Sequence, residues 1–221
     1  MLSLKTFNTI IFDCDGVILD SNHIKTRAFY EVALEYGLEN SKRLVSYHKQ
    51  NGGISRYKKF EYFFKNILGQ ENADKEVAYA ISRYGNLVRK LLFDCSVTEG
   101  LAEFLELLPA QIKRFVVTGG NEEEVKDVLS TKKLGSYFDE IWGSPRTKEE
   151  IIQNAISQGL ILKPALYIGD SIYDYECSVM FDMQFMFLTK YSEVEDWEFY
   201  FDNKPVYIYE NLFTVTKDIF Q

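Results

Sequence analysis

The feature that most constrains this chain is a short apolar run that stops in acid. Thr9-Ile10-Ile11-Phe12 is β-branched and aromatic, and Asp13-Cys14-Asp15-Gly16 follows at once. A run this short, closed by a glycine, predicts a buried strand rather than a helix. Residues two apart on a strand point the same way, so Asp13 and Asp15 can serve one site at the strand's carboxyl end. That end is where open α/β sheets bind their ligands. Two carboxylates so close together repel unless a cation or a catalytic role compensates.

Further along, strands and helices alternate. Residues 114–117 predict a second strand, ending in a turn at Thr118-Gly119-Gly120, after which Asn121 and Glu124 resemble a capping-box helix start. Residues 138–142 predict a third strand, and Lys148 opens the next helix. Residues 165–168 predict a fourth strand that runs into Gly169-Asp170-Ser171, and residues 183–188 a fifth. Residues 205–209 read as a late edge strand, with a helix closing the chain. Such alternation implies right-handed βαβ crossovers and a parallel sheet, an α/β class of fold.

Residues 21–94 have another texture. Apolar positions recur at helical spacing up to Gly37, again over 57–68 up to Gly69, and again over 77–93, which predicts an all-helical insert. Gly52-Gly53 marks a loop inside it. Between residues 41 and 65 stand seven basic residues (Lys42, Arg43, Lys49, Arg56, Lys58, Lys59 and Lys65) against one acid, Glu61. That segment reads either as a solvated helix face or as an anion-binding surface.

Composition excludes several classes. The 221 residues carry 33 acids against 25 Lys and Arg, a net charge of −8 that argues against nucleic-acid binding. No apolar run approaches the ~20 residues of a membrane span. Residues 1–8 lack a signal-peptide pattern, and three widely spaced cysteines suit a reducing compartment, so a cytoplasmic protein is expected. Aromatics at 15% are read as core and interface packing, compatible with a monomer or a homodimer.

Polar residues thus gather at four predicted strand ends: Asp13 with Asp15, Thr118, the Lys148 region, and Asp170 with Asp174. Each alone has an ordinary explanation as a helix cap, a turn or a solvated lysine. Together they can run phosphoryl transfer through an aspartyl phosphate, with hard carboxylate oxygens for Mg²⁺ and a lysine for the phosphate. The ordered set Asp13-x-Asp15-Gly16-Val17, Thr118, Lys148 and Gly169-Asp170-Ser171-x-x-Asp174 resembles the four motifs of the haloacid dehalogenase-like hydrolase superfamily across residues 8–188. It is most similar to the helical-cap phosphatase branch that includes phosphoglycolate phosphatase and β-phosphoglucomutase.

The resemblance implies a Rossmann-like three-layer core with strand order 5-4-1-2-3, formed by residues 1–20 and 95–221, and a helical cap over residues 21–94. It implies that Asp13 is the nucleophile and Asp15 the general acid and base. Thr118, Gly119 and Lys148 would bind the phosphoryl group, and Asp13, Asp15 (through its backbone carbonyl) and Asp170 would hold Mg²⁺, with Asp174 in support. Gly53-Ile54-Ser55-Arg56 is similar to a cap specificity loop whose arginine meets a distal group of the substrate. The implied activity is a Mg²⁺-dependent phosphatase acting on a small phosphorylated metabolite, a sugar phosphate or a phosphorylated organic acid. The alternatives are a phosphomutase like β-phosphoglucomutase, or a non-catalytic, phosphate-binding regulatory relative. Against the mutase pattern, Gly52 stands where a lysine is expected and Lys25 where a hinge histidine is expected.

Overall fold

The structure is a computed structural model that describes residues 3–220. Met1, Leu2 and Gln221, at the ends of the predicted core segments, lie outside the described residues. Six strands form one parallel sheet: β1 (Thr9–Phe12), β2 (Lys113–Asn121), β3 (Glu140–Ser144), β4 (Ala165–Gly169), β5 (Gln184–Leu188) and β6 (Val206–Tyr209). Their order is β3-β2-β1-β4-β5-β6, which is the expected order extended by the late edge strand.

β1 lies between β2 and β4, with Phe12 opposite Val116 on one side and Ile168 on the other. It is buried throughout, as a central strand covered on both faces must be. Period-2 alternation divides its side chains between two apolar layers. Ile10 and Phe12 belong to one, Ile11 to the other.

Helices cover both faces. The Phe12 side packs against α5 (Leu101–Leu107), α6 (Glu122–Thr131) and α10 (Leu212–Phe220), which bring Phe104, Val128 and Val215 into that layer. The Ile11 side packs against α7 (Lys148–Ser157), α8 (Ile172–Met180) and α9 (Trp197–Phe201), which contribute Ile152, Cys177 and Phe201. This is the three-layer α/β core that the resemblance implies.

Between β1 and α5 the chain leaves the core as four helices: α1 (Asn22–Ala33), α2 (Leu38–Gln50), α3 (Arg56–Tyr62, continued by a π-helical turn at Phe63–Ile67) and α4 (Asp74–Asp94). The outgoing and returning linkers run side by side. Leu19 bridges Val97, Asp20 N–H donates to Ser96 O at 3.0 Å, and Thr98 N–H donates to Ile18 O at 3.0 Å.

Three elements depart most from the sequence reading. α2 carries no strong apolar pattern because it buries only Ser41, Leu44 and His48, a stripe one residue wide. β2 does not end at Val117 but runs through Gly119-Gly120 to Asn121, with a register shift against β3 after Val117. β3 starts two residues later than expected, because Phe138 caps a short 3₁₀ turn (Gly135–Tyr137) and packs edge-on against Phe12, 5.5 Å between ring centroids.

The insert has its own aromatic centre. Phe29 of α1 lies 5.2 Å from Phe60 of α3 and 4.4 Å from Tyr84 of α4, ring centroid to ring centroid. Phe60 is fully buried, so Phe60→Ala is expected to destabilise the protein by about 3–5 kcal/mol. Urea unfolding followed by circular dichroism measures this; a loss under about 1 kcal/mol would mean that the insert does not depend on that cluster.

Candidate active site

The site is built where β1, β2 and β4 end. Asp13 follows β1, its N–H donates to Ile168 O at 2.9 Å, and its side chain is almost wholly buried. Lys148, the first residue of α7, approaches from beside it. Its Nζ is 2.9 Å from Asp13 Oδ1 and donates to Asp174 Oδ1 at 2.5 Å. The contact with Asp13 is a buried ion pair, so one lysine serves two carboxylates.

Asp170 follows β4, and Asp174 is the third residue of α8. Asp13, Asp170 and Asp174 each present an oxygen, all within 4.8 Å of one another. Burial, with Asp174 and Asp15 adding and Lys148 opposing, pushes the Asp13 carboxyl up to about 7. Burial and the nearby Asp13 charge raise Asp170 well above the usual carboxylate range. Carboxylates crowded this way fit a hard divalent cation, which takes oxygen ligands and supplies the missing positive charge.

Asp174 is the most fully engaged of the three. Ser171 donates to its Oδ2 from both N–H (3.2 Å) and Oγ (2.6 Å) in a capping box that starts α8, while Lys148 takes Oδ1. Asp174 is thus the capping-box residue of α8 and at the same time the partner of Lys148. Asp170 Oδ2 accepts from Asn22 Nδ2 at 2.6 Å, and Ser192 Oγ donates to Asp170 O at 2.6 Å. Gly16 is obligatory beside them: its φ is +75°, and a Cβ there would collide with the Asp170 carboxylate.

Asp15 stands two residues past Asp13, with both oxygens occupied. Ser21 Oγ donates to Oδ1 at 2.5 Å and Lys25 Nζ donates to Oδ2. Burial alone would raise its pKa, but Lys25 and then Ser21 outweigh burial and hold it below the ordinary carboxylate value. Thr118 is fully buried in the irregular stretch of β2. Its Oγ1 accepts from Gly120 N–H at 2.9 Å, which leaves its own O–H free to donate. Gly119 faces the insert, and a Cβ at that position would collide with the carbonyl oxygen of Gly53. The Gly52-Gly53 loop therefore sits directly on the strand ends.

Arg56 is buried, and its fork is taken by Glu124 of α6. Nη1 donates to Oε1 at 3.0 Å, and Nη2 pairs with Oε2. Glu124 thus turns toward the insert instead of closing a capping box on Asn121, whose Oδ1 caps α6 alone. Asp13, Asp15, Lys25, Arg56, Lys59 and Gly119 all border one partly open cavity of about 50 Å³.

The basic segment of the insert resolves into contacts that neither sequence reading foresaw, because its anions belong to the chain itself. Besides Arg56 with Glu124, Lys49 faces Glu195 at 4.0 Å. His48 Nε2 lies 3.0 Å from Thr26 Oγ1, which donates to Glu193 at 2.6 Å. Burial, then Lys59, hold His48 well below its ordinary pKa, so the ring is neutral and its Nδ1 accepts from Lys59 Nζ at 2.7 Å. The acidic 193–198 stretch and the basic 41–65 stretch are the two sides of one seam.

Sequence reasoning missed Asn22, His48 and Glu193, named Lys59 only as one of seven basic residues, and noted Lys25 only as a departure from a pattern. The one available signal was the reversal of charge sign between the two stretches. Which members of each pair meet is decided by the packing of α1, α2 and α3. The three cysteines are buried and free, as expected, and among the described residues no helix is long and apolar enough to cross a membrane.

Fold and site together define a class: a parallel α/β core with a helical insert after its first strand, and an aspartate cluster with a lysine at the strand ends. The family profile of the haloacid dehalogenase-like hydrolases matches residues 10–188, and the chain belongs to that family. No curated protein matches the sequence. Among solved structures, a predicted phosphatase from Clostridium acetobutylicum is 23% identical with a TM-score of 0.76, covering 96% of this chain and 97% of its own. β-Phosphoglucomutase from Clostridium difficile is 18% identical with a TM-score of 0.73, covering 93% and 92%. CbbY from Rhodobacter sphaeroides, solved in complex with phosphate, is 16% identical with a TM-score of 0.71, covering 95% and 96%. At these identities the likeness is one of fold.

The contact of Gly53 with Gly119 has a direct test. Gly119→Ala forces the 51–55 loop off the strand ends, and over-packing of about 1–3 kcal/mol raises its hydrogen exchange by about fivefold to a hundredfold. Exchange mass spectrometry reads this against the strands of the core, which stay protected. An unchanged loop would mean that it does not rest on Gly119.

Proposed function

We propose that the protein is a Mg²⁺-dependent phosphatase that hydrolyses a small phosphomonoester through an aspartyl phosphate on Asp13. The observation that carries this reading is the buried cluster of Asp13, Asp170 and Asp174, whose oxygens lie within 4.8 Å of one another with Lys148 paired to two of them. Asp13, Asp170 and the backbone carbonyl of Asp15 are the proposed Mg²⁺ ligands. When bound, the ion offsets the crowded carboxylates and the charge of the phosphoryl oxygens. Asp174 positions Lys148.

In the first step an Asp13 oxygen attacks phosphorus, the bond to the ester oxygen breaks, and the departing alcohol takes a proton from Asp15. In the second step Asp15 takes a proton from water, the hydroxide attacks phosphorus, and Asp13 is released with inorganic phosphate. Lys25 and Ser21 hold Asp15 as a carboxylate, which is the form the second step needs. Protonation for the first step displaces one of those two donors. Thr118 Oγ, the Gly119 N–H and Lys148 Nζ bind the phosphoryl oxygens.

Helices α1–α4 act as a cap hinged at the paired linkers 18–20 and 96–98, and closure excludes bulk water while Asp13 attacks phosphorus, the hydrolytic water entering once the alcohol has left. Arg56 fastens this cap to the core through Glu124 while lining the cavity. Lys25 at the hinge, instead of the histidine of the mutase pattern, favours hydrolysis over isomerisation.

Release of inorganic phosphate from a panel of small phosphomonoesters is expected with Mg²⁺, to disappear with a chelator and to return on re-addition. Asp13→Asn should lower kcat by about 10³-fold or more, the scale on which loss of a nucleophile acts. Turnover by Asp13→Asn equal to the parent's would exclude the aspartyl phosphate.

A further inference from the structure

The cavity beside Asp13 is bordered by several cations, and nearly all have a carboxylate of their own. Lys25 pairs with Asp15, Arg56 with Glu124, and Lys49, half-exposed at the rim, faces Glu195 at 4.0 Å. Lys148, which stands behind Asp13, bridges Asp13 and Asp174. Lys59 is the exception: among the described residues it forms no ion pair. It is buried to 2% exposure, and its Nζ has one polar partner, the neutral Nδ1 of His48 at 2.7 Å. The ring of Phe29 covers one side, with its centroid 5.5 Å from Nζ.

The support for Lys59 is built in, not incidental. His48 is locked as an acceptor because its other nitrogen faces Thr26 Oγ1 and, at 3.5 Å, Glu193. Glu193 is itself held through both oxygens by Thr26, at 2.6 and 2.8 Å, and forms no ion pair with Lys59. An ammonium with three donors is thus fixed by one hydrogen bond at the wall of a reaction cavity. Burial, with Lys25 adding, pulls its pKa down to about 7, while Glu193 opposes. A buried ammonium under that pressure gains by meeting an anion.

The cavity favours a small occupant. At about 50 Å³ it takes only about three to five waters, since each needs roughly 10–15 Å³. A short carbon chain with a small terminal anion is the occupant that moves the insert least once a phosphoryl group sits at Asp13.

We propose that Lys59 binds a carboxylate carried by the substrate, and that the enzyme's substrates are short-chain phosphomonoesters bearing a carboxylate. This inference rests on the phosphatase reading above and narrows its substrate class to phosphorylated organic acids. Lys59 is then a specificity residue, oriented by the His48–Thr26–Glu193 relay across the seam between cap and core.

The test is the ratio of kcat/KM within matched pairs, assayed with Mg²⁺ on the full chain: 2-phosphoglycolate against 2-hydroxyethyl phosphate, and 3-phosphoglycerate against glycerol 3-phosphate. The parent is expected to favour the carboxylated member by about tenfold to a hundredfold, the range of a charged hydrogen bond. Lys59→Met should bring both ratios close to one, mainly by raising KM for the carboxylated member, while Lys59→Arg keeps the preference. A parent with no preference, or a Lys59→Met variant that keeps it, overturns the inference. If Lys59→Met fails to fold, the parent ratios and Lys59→Arg still decide. Equal hydrolysis of charged and neutral members overturns the carboxylate subsite alone; hydrolysis of none overturns the phosphatase reading with it.

Discussion

Everything in this molecule accommodates the burial of one carboxylate. Asp13 sits at the end of a strand that is covered on both faces, where an isolated charge would be driven neutral. The chain responds by bringing a second buried charge, Lys148, to the same place and by holding that lysine with Asp174. Asp174 in turn is fixed by the first turn of α8. Strand, lysine and cap form one connected network, so the arrangement that positions the chemistry is also the arrangement that makes the core tolerable.

The helical insert extends the same logic outward. Its inner face is basic, and the core offers it Glu124, Glu193 and Glu195. Beside the apolar layer that insert and core share, the two meet through ion pairs and a neutral histidine. Ion pairs of this kind specify how the halves align and cost less to separate in water than a hydrophobic interface of equal size. That suits a part whose proposed work is to open for a substrate and close over it.

Much of the fold was legible in the sequence for a local reason. β1 and β4 are short apolar runs closed by turn residues, and the alternation of strand and helix after Val97 implies parallel crossovers. Asp13, Asp15, Thr118, Lys148, Asp170 and Asp174 were visible because each follows a recognisable strand or opens a recognisable helix. α2 was hidden because its buried stripe consists of Ser41, Leu44 and His48, two of them polar. The end of β2 was misjudged because Gly119-Gly120 signals a turn in any local reading, while here the strand continues in extended form to let Gly53 approach.

The sequence by itself determined the order of the elements and the inventory of carboxylates at the strand ends, since both depend on neighbours within a few residues. It also contained both halves of the seam, the basic 41–65 stretch and the acidic 193–198 stretch, without saying that they meet. Only the tertiary structure decided which charges cancel. Arg56 is claimed by Glu124, Lys25 by Asp15, and Lys59 is left with His48 alone. Pairing is a matter of ångströms between segments far apart in the chain, and a Coulomb interaction this short-ranged has no trace in local sequence.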